Sequence, residues 1–390
     1  MKIAFVVQRY GLEVNGGAEY LCRLIAESLS KHFHVEVITT CALDYMTWDN
    51  HYPEGKEVIN GITVWRFPVD KSRDVGKFNE FSQKIFFQPH TRDDEVEWMK
   101  LQGPYSKKLL NFIKQHEKSY DFFIFFTYLY CTTFFGLPLV KDKAILVPTA
   151  HDEPPIRLSI FREIFQTPIA IVYNTDDERE FVNSLFHNDD ILSDTVGVWV
   201  TPPDNISAEG FRSKYGIKSR FVLYLGRIDE SKGCKELFEY FLKYKRETTS
   251  KLKLVLLGKS VTAIPQNNDI IPLGFVPEID KYNALLASEV IVVPSRYESL
   301  SIVLLEAWSC GVPCIVNAKS PVLKSQCIKS NGGLWYENYG EFKECLSLLL
   351  SDTNLRKRLG ANGKRYVEAN YRWDNIENKY LRLFEKIRTD

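Results

Sequence analysis

Apolar residues in this chain fall into short continuous runs separated by stretches of helical spacing, and the first forty positions set the pattern. Residues 2–8 hold the run Ile3-Ala4-Phe5-Val6-Val7, which suits a strand buried on both faces of a parallel sheet. A polar loop follows and ends in Asn15-Gly16-Gly17-Ala18-Glu19. Leu21, Leu24, Ile25 and Leu29 then recur at helical spacing and predict a helix over 17–31. His34-Val35-Glu36-Val37-Ile38 reads as the second strand, completing a βαβ unit. Runs at 121–126, 144–148 and 169–173 predict further strands of the same sheet. The polar, aromatic-containing segment 68–100 assigns no element.

A double proline within Val198-Trp199-Val200-Thr201-Pro202-Pro203-Asp204 predicts a linker. A second βαβ series starts at Phe221-Val222-Leu223-Tyr224-Leu225, turns at Gly226-Arg227 and continues as a helix over 233–247. Next come a strand at Leu254–Gly258, a helix near 279–287, a strand at 290–293, a helix at 301–310 and a strand at 313–316. Helices close the chain after 340, and Tyr371-Arg372-Trp373-Asp374 breaks the last two apart. The fold class is therefore α/β, in two halves that meet near residue 200, a division that 390 residues readily support.

Composition changes this picture little. The chain is 45% hydrophobic and 26% charged, which is globular. Fifty basic side chains balance fifty acidic ones, so no overall field draws the chain to nucleic acid, and none is expected as a partner. Eight cysteines contain no C-x-x-C pair and read as reduced thiols. The run Phe122–Phe135 falls short of the roughly 20 apolar residues of a spanning helix and reads as a buried strand entering a helix. The N-terminal run reads as a first strand, too short for a signal peptide. A cytoplasmic location is expected, peripheral at the inner face of the plasma membrane if the acceptor is a lipid.

Chemistry concentrates where strands hand over to helices. Gly226-Arg227-Ile228-Asp229-Glu230-Ser231-Lys232-Gly233 occupies such a junction, where helix N–H groups face anions. Arg227 adds a planar fork and Lys232 a point charge, a combination suited to a diphosphate. The plainer alternative is a solvated loop with Arg227 paired to Asp229 or Glu230. At the next junction, Pro294–Ser301, Glu298 and Glu306 are separated by seven residues. Two carboxylates so spaced can face one elongated polyhydroxylated ligand, with the N–H groups of Ser299, Leu300, Ser301 and Ile302 meeting phosphates between them. Glu298 could instead cap the helix. Glu306 sits among Leu304, Leu305, Ala307 and Trp308, and a core-facing glutamate needs partners.

In the first half, Gly16-Gly17 permits close backbone approach before a helix or forms an ordinary turn. His151 follows the strand at 144–148 and is placed for a sugar hydroxyl or leaving phosphate, or is structural. With one local imidazole, His151-Asp152-Glu153 gives no metal site. No G-x-G-x-x-G, Walker or H-E-x-x-H motif is present, which lowers dinucleotide oxidoreductases, P-loop NTPases and zincin proteases.

The ordered set Leu-Gly-Arg-Ile-Asp with Lys232-Gly233, Glu298 and Glu306, then Gly311-Val312-Pro313, resembles retaining glycosyltransferases of the family 4 type. That resemblance covers nearly the whole chain and implies the GT-B fold, two Rossmann-like domains facing across a donor-binding cleft. It implies an acceptor-side domain over 1–200, a donor domain over 201–371, a hinge near 200 and a C-terminal helix (372–390) packing back on the first domain. Arg227 and Lys232 resemble the pair that holds the donor diphosphate, Glu298 the carboxylate at the donor sugar, and Glu306 the one at the ribose. Gly258 and Gly274-Phe275-Val276 resemble the edges of the nucleobase pocket. Gly16, Gly17, Ala18 and Glu19 resemble the donor-facing glycine loop, and His151-Asp152 the histidine near the reacting sugar. Two departures stand out: Ser299-Leu300-Ser301 replaces the common Ser-Phe-Gly, and only Arg23 offers a basic residue after the glycine loop.

The expected activity is metal-independent, cofactor-free transfer of a hexose from a nucleoside diphosphate sugar, UDP favoured over GDP, to a saccharide or lipid-linked saccharide in polysaccharide or glycoconjugate synthesis. The alternatives are a nucleotide-sugar epimerase on the same fold and a non-catalytic sugar-nucleotide-binding partner.

Overall fold

The continuous apolar runs become buried strands of two parallel sheets. The computed structural model describes residues 1–14 and 16–389. Asn15, at the head of the glycine loop, lies outside the described residues. The chain divides into two compact units, residues 1–198 with those from Glu377 onward, and Trp199–Ile376.

In the first unit the strands are β1 (Lys2–Val6), β2 (His34–Thr40), β3 (Gly55–Ile59), β4 (Ile62–Phe67), β5 (Phe122–Phe126), β6 (Ala144–Val147), β7 (Ala170–Tyr173) and β8 (Leu192–Thr195). Among the described residues they form one sheet in the order β3-β4-β2-β1-β5-β6-β7-β8. Only the β3–β4 pair is antiparallel there. Its turn is Asn60-Gly61, both at positive φ (48° and 82°), the backbone that a two-residue hairpin demands. The first helix, Gly17–Leu29, buries Leu21, Ile25 and Leu29 and stops two residues short of the expected end.

The segment 68–100, which the pattern leaves unassigned, contains the helix Val75–Phe87 and the start of the helix Arg92–Gln102. Asp74 caps the first by accepting from the Lys77 N–H (3.1 Å), and Thr91 with Asp94 forms a capping box on the second. Trp98 is buried between the rings of Phe78 and Phe86, and its Nε1 donates to Ser82 Oγ at 2.9 Å. Close to the C-terminus, Phe384 stacks on Phe122 at 5.5 Å and meets Phe33 edge-on at 5.7 Å. Lys379 donates to the Thr195 carbonyl at 2.6 Å.

In the second unit β9 (Phe221–Leu225), β10 (Lys253–Leu257), β11 (Ile270–Gly274), β12 (Val290–Val293), β13 (Cys314–Asn317) and β14 (Gly333–Tyr336) are all parallel. Among the described residues their order is β11-β10-β9-β12-β13-β14. Leu237, Phe241, Leu254 and Val292 meet in its core, each fully buried or nearly so. Burial at such positions contributes roughly 1.5–3 kcal/mol per side chain. Strand order reverses between β9 and β12 in this unit and between β1 and β5 in the first. Loops leaving the carboxyl ends of such strands diverge and open a crevice where ligands bind.

Glu36 on β2 is buried and accepts from the Tyr120 hydroxyl (2.5 Å) and Trp65 Nε1 (3.0 Å), with Lys2 and His34 each at 3.1 Å. Burial alone would raise its carboxyl, but the hydrogen bonds, led by Tyr120, hold it down at about 2. This stabilisation is complete above the unfolded carboxyl range and is lost as pH falls through about 2. Glu36→Gln should therefore lose on the order of 2 kcal/mol less stability than the parent between pH 5 and pH 2. Chemical denaturation at the two pH values checks this; equal losses contradict it.

Candidate active site

Three loops leave the carboxyl ends of β9, β10 and β12, and glycines allow them to touch. Gly226 N–H donates to the Leu257 carbonyl at 3.0 Å, and Ile228 N–H to that of Lys259 at 3.0 Å. A Cβ on Gly258 would lie 1.9 Å from the Gly226 carbonyl oxygen, and Gly258 itself sits at φ 140°. Gly233, at φ 78°, packs so tightly on the β12 loop that its Cβ would fall 2.3 Å from the Pro294 carbonyl oxygen. Only glycine fits both positions. Gly233 then serves as N-cap of the helix Cys234–Glu247.

This contact sets the charges. Lys232 Nζ lies 2.9 Å from Glu298 Oε1, so the two predicted donor-binding loops meet through these side chains. Arg227 Nε donates to Asp229 Oδ2 at 2.8 Å, the pairing that the sequence left open as the plainer alternative. Asp229 also accepts from the Ser231 N–H at 2.9 Å. Burial would raise its carboxyl, but that N–H and then the Arg227 charge hold it below the usual range. Both partners are partly exposed, which makes the pair worth little to stability and simple to exchange for another anion.

Glu298 is not a helix cap. The following helix runs Ile302–Ser309, and its N-cap is Ser301, which makes no side-chain capping bond. Ser301 sits at φ −96°, so serine in place of the glycine of the motif it resembles brings no backbone strain. Ser299, Leu300 and Ser301 are buried and lead into the helix start at Ile302, the end of a helix whose N–H groups face anions. Glu306 is 3% exposed and accepts from Lys281 Nζ at 2.5 Å. Burial raises its carboxyl while Lys281 opposes that rise. At the end of β10, Gly258 N–H donates to the Gly274 carbonyl at 2.8 Å. There Val276 is buried and Phe275 is 68% exposed.

Gly16, Gly17 and His151 belong to the first unit. A Cβ on Gly16 would meet Glu19 Oε2 at 2.1 Å and Arg9 Nη2 at 3.0 Å. Its missing side chain thus makes room for the buried Arg9–Glu19 pair (2.5 Å), whereas a Cβ on Gly17 would meet nothing within 4 Å. The glycine loop is therefore braced from inside by an ion pair that the sequence reading did not find.

His151 lies beyond the end of β6, half-buried, with Nδ1 3.5 Å from Glu153 Oε1. Tyr128 donates its hydroxyl to the same oxygen at 2.7 Å, and Asp152 pairs outward with Arg157 at 2.6 Å. Glu178, on the helix Asp176–Phe186, accepts from the N–H groups of Ala150 (2.5 Å) and Asn174 (2.6 Å). It thereby ties down the loop that carries His151. Burial pushes its carboxyl up to about 8 against those hydrogen bonds. Thr175-x-x-Glu178 is a capping-box pattern readable in the sequence. Burial, with the Glu19 charge next, pushes the Tyr130 hydroxyl up to about 12, and Glu153 adds to the rise. Tyr130 therefore sits within the fields of both the glycine loop and the His151 loop.

Residues 207–366, most of the second unit, match the profile of the family described as glycosyl transferases group 1. An uncharacterized glycosyltransferase of Methanocaldococcus jannaschii is 22% identical over 99% of this chain and 98% of its own length. The chain is a glycosyltransferase. Three other curated relatives match over about three fifths of their length. Among solved structures, sucrose-phosphate synthase from Thermosynechococcus elongatus superposes with a TM-score of 0.76 at 18% identity, covering 100% of this chain and 99% of that one. Anabaena HepE in complex with UDP-glucose gives 0.70 at 14% identity, covering 100% of both chains. These likenesses place the two Rossmann-like units of the glycosyltransferase in the GT-B fold.

Gly258→Ala in this glycosyltransferase should push the β10 loop off Gly226 and shift Arg227. Overpacking at a strained φ costs about 2–4 kcal/mol. The variant should unfold at lower denaturant, a result that a parent-like midpoint contradicts.

Proposed function

We propose that this glycosyltransferase moves a hexose from a nucleoside diphosphate sugar to a hydroxyl of a saccharide or lipid-linked saccharide, with retention at the anomeric carbon. The observation that carries the proposal is the meeting of Lys232 and Glu298 across the strand-order reversal at β9 and β12. A cation for phosphate and a carboxylate for hydroxyls stand side by side there, 2.9 Å apart, which suits a ligand whose phosphate and sugar are directly joined. A UDP-sugar is the favoured donor, which the likeness to a structure holding UDP-glucose supports.

In the reaction the bond from the anomeric carbon to the phosphate oxygen breaks and a bond to the acceptor oxygen forms on the same face. The acceptor's proton passes to the departing phosphate oxygen. Charge developing on the diphosphate is met by Arg227, Lys232 and the N–H groups at Ser301 and Ile302, without a metal ion or cofactor. Lys232 must turn from Glu298 to the phosphate, and Glu298 is thereby released to the sugar hydroxyls. His151 is proposed to act on the transferred sugar. Among the described residues no helix is long and apolar enough to cross a membrane.

A charged hydrogen bond contributes roughly 1.5–3 kcal/mol. Arg227→Ala and Lys232→Ala should each lower turnover about 10- to 100-fold or more. Near-parental transfer by both variants sinks the diphosphate assignment. A thermal-shift screen of UDP-, GDP-, ADP- and TDP-sugars should show the largest stabilisation with a UDP-sugar; a larger shift with another base replaces the donor.

A further inference from the structure

Glu306 lies on the buried face of the helix Ile302–Ser309, with Leu304, Leu305, Ala307 and Trp308 all buried around it. A carboxylate in such surroundings is unstable as an ion unless a cation compensates it. The cation is Lys281, from the separate helix Glu278–Ala287, with Nζ 2.5 Å from Glu306 Oε1. Lys281 is fixed in turn by Glu278 at 3.9 Å and by the Tyr282 ring, 4.8 Å from Nζ. Other titratable groups near this site include the Cys310 thiol, which feels Glu306, and Lys364 beside it.

We infer that Lys281 is a positioning residue for the donor nucleoside, holding one Glu306 oxygen so that the other accepts from the vicinal hydroxyls of a ribose. The inference rests on the proposed donor site and concerns a residue that touches no donor atom in that reading. A carboxylate offers about four acceptor positions, and one hydrogen bond from Lys281 leaves enough for a diol. Without Lys281 the buried carboxyl takes a proton, its acceptor capacity drops, and the side chain can rotate.

The test measures binding of UDP and 2′-deoxy-UDP, and of GDP and 2′-deoxy-GDP, by calorimetry on the full chain. The parent should prefer the ribonucleotide of the bound pair. Lys281→Met should weaken the ribonucleotide roughly 10-fold or more and leave the deoxynucleotide within about twofold. The variant's ribonucleotide affinity should recover as pH rises, because the Glu306 carboxyl re-ionises, over a range where the parent is flat. Lys281→Arg should restore the preference.

A loss shared equally by both sugars in Lys281→Met, or a pH-independent loss, overturns the inference while leaving the donor site standing. A parent that binds both sugars alike, with Glu306→Gln unchanged, overturns the donor-site reading and this inference with it. If Lys281→Met folds poorly, the ribose-to-deoxyribose ratio within one sample still decides, since both ligands meet the same folded fraction. Lys281→Gln, which keeps a neutral donor, should then give an intermediate ratio, and a parental ratio counts against the inference.

Discussion

The second unit is organised around backbone touching backbone. Gly258 against the Gly226 carbonyl and Gly233 against the Pro294 carbonyl press three loops together at the reversal of strand order. Side chains follow from that contact. A Cβ on Gly258 would part the β10 loop from the β9 loop, and one on Gly233 would part the β9 and β12 loops, so that Lys232 would no longer span to Glu298. A parallel sheet supplies diverging loops at its carboxyl edge, and glycine draws these ones back into contact.

Three cations of the candidate site are each matched to a carboxylate: Arg227 to Asp229, Lys232 to Glu298, Lys281 to Glu306. The pairs differ in burial, and that decides their roles. Arg227–Asp229 and Lys232–Glu298 are part-exposed, so their Coulomb energy is screened and another anion can replace one partner at small cost. Lys281–Glu306 has one partner almost wholly buried, where breaking the pair would strand a charge. The same chemistry therefore gives two exchangeable clamps and one fixed brace. Affinity for an anion at this site is a difference between two paired states, which favours a ligand able to satisfy the released carboxylate as well.

The sequence made the repeating parts legible and the long-range pairs illegible. Continuous apolar runs located β1, β5, β6 and β7 and most of the second sheet, because burial on both faces leaves little else in such strands. The helices between residues 75 and 102 were hidden because their apolar faces are aromatic and broken by charges: Phe78, Phe81, Phe86 and Trp98 stand among Lys77, Lys84 and Asp94. Their caps at Asp74 and Thr91 were readable in principle, as was the Asn60-Gly61 hairpin turn. At the site, Arg227, Lys232 and Glu298 could be named because they follow strand ends, and Glu306 because a glutamate among apolar neighbours needs a partner. Arg9–Glu19, Glu178–Ala150 and Lys281–Glu306 could not be paired, since spacings of 10, 28 and 25 residues encode no contact until the topology is known.

The first unit is discontinuous in the chain, because its final residues begin at Glu377. Tyr380, Leu383 and Phe384 are each almost fully buried, and Phe384 covers Phe122 and Phe33. During translation these residues leave the ribosome only after the whole second unit has been made. The first unit can collapse early, as N-terminal domains do, yet its aromatic patch stays uncovered until the second unit has been made. A chain truncated within its last helix would therefore present to chaperones and proteases a sheet that is nearly complete and still sticky.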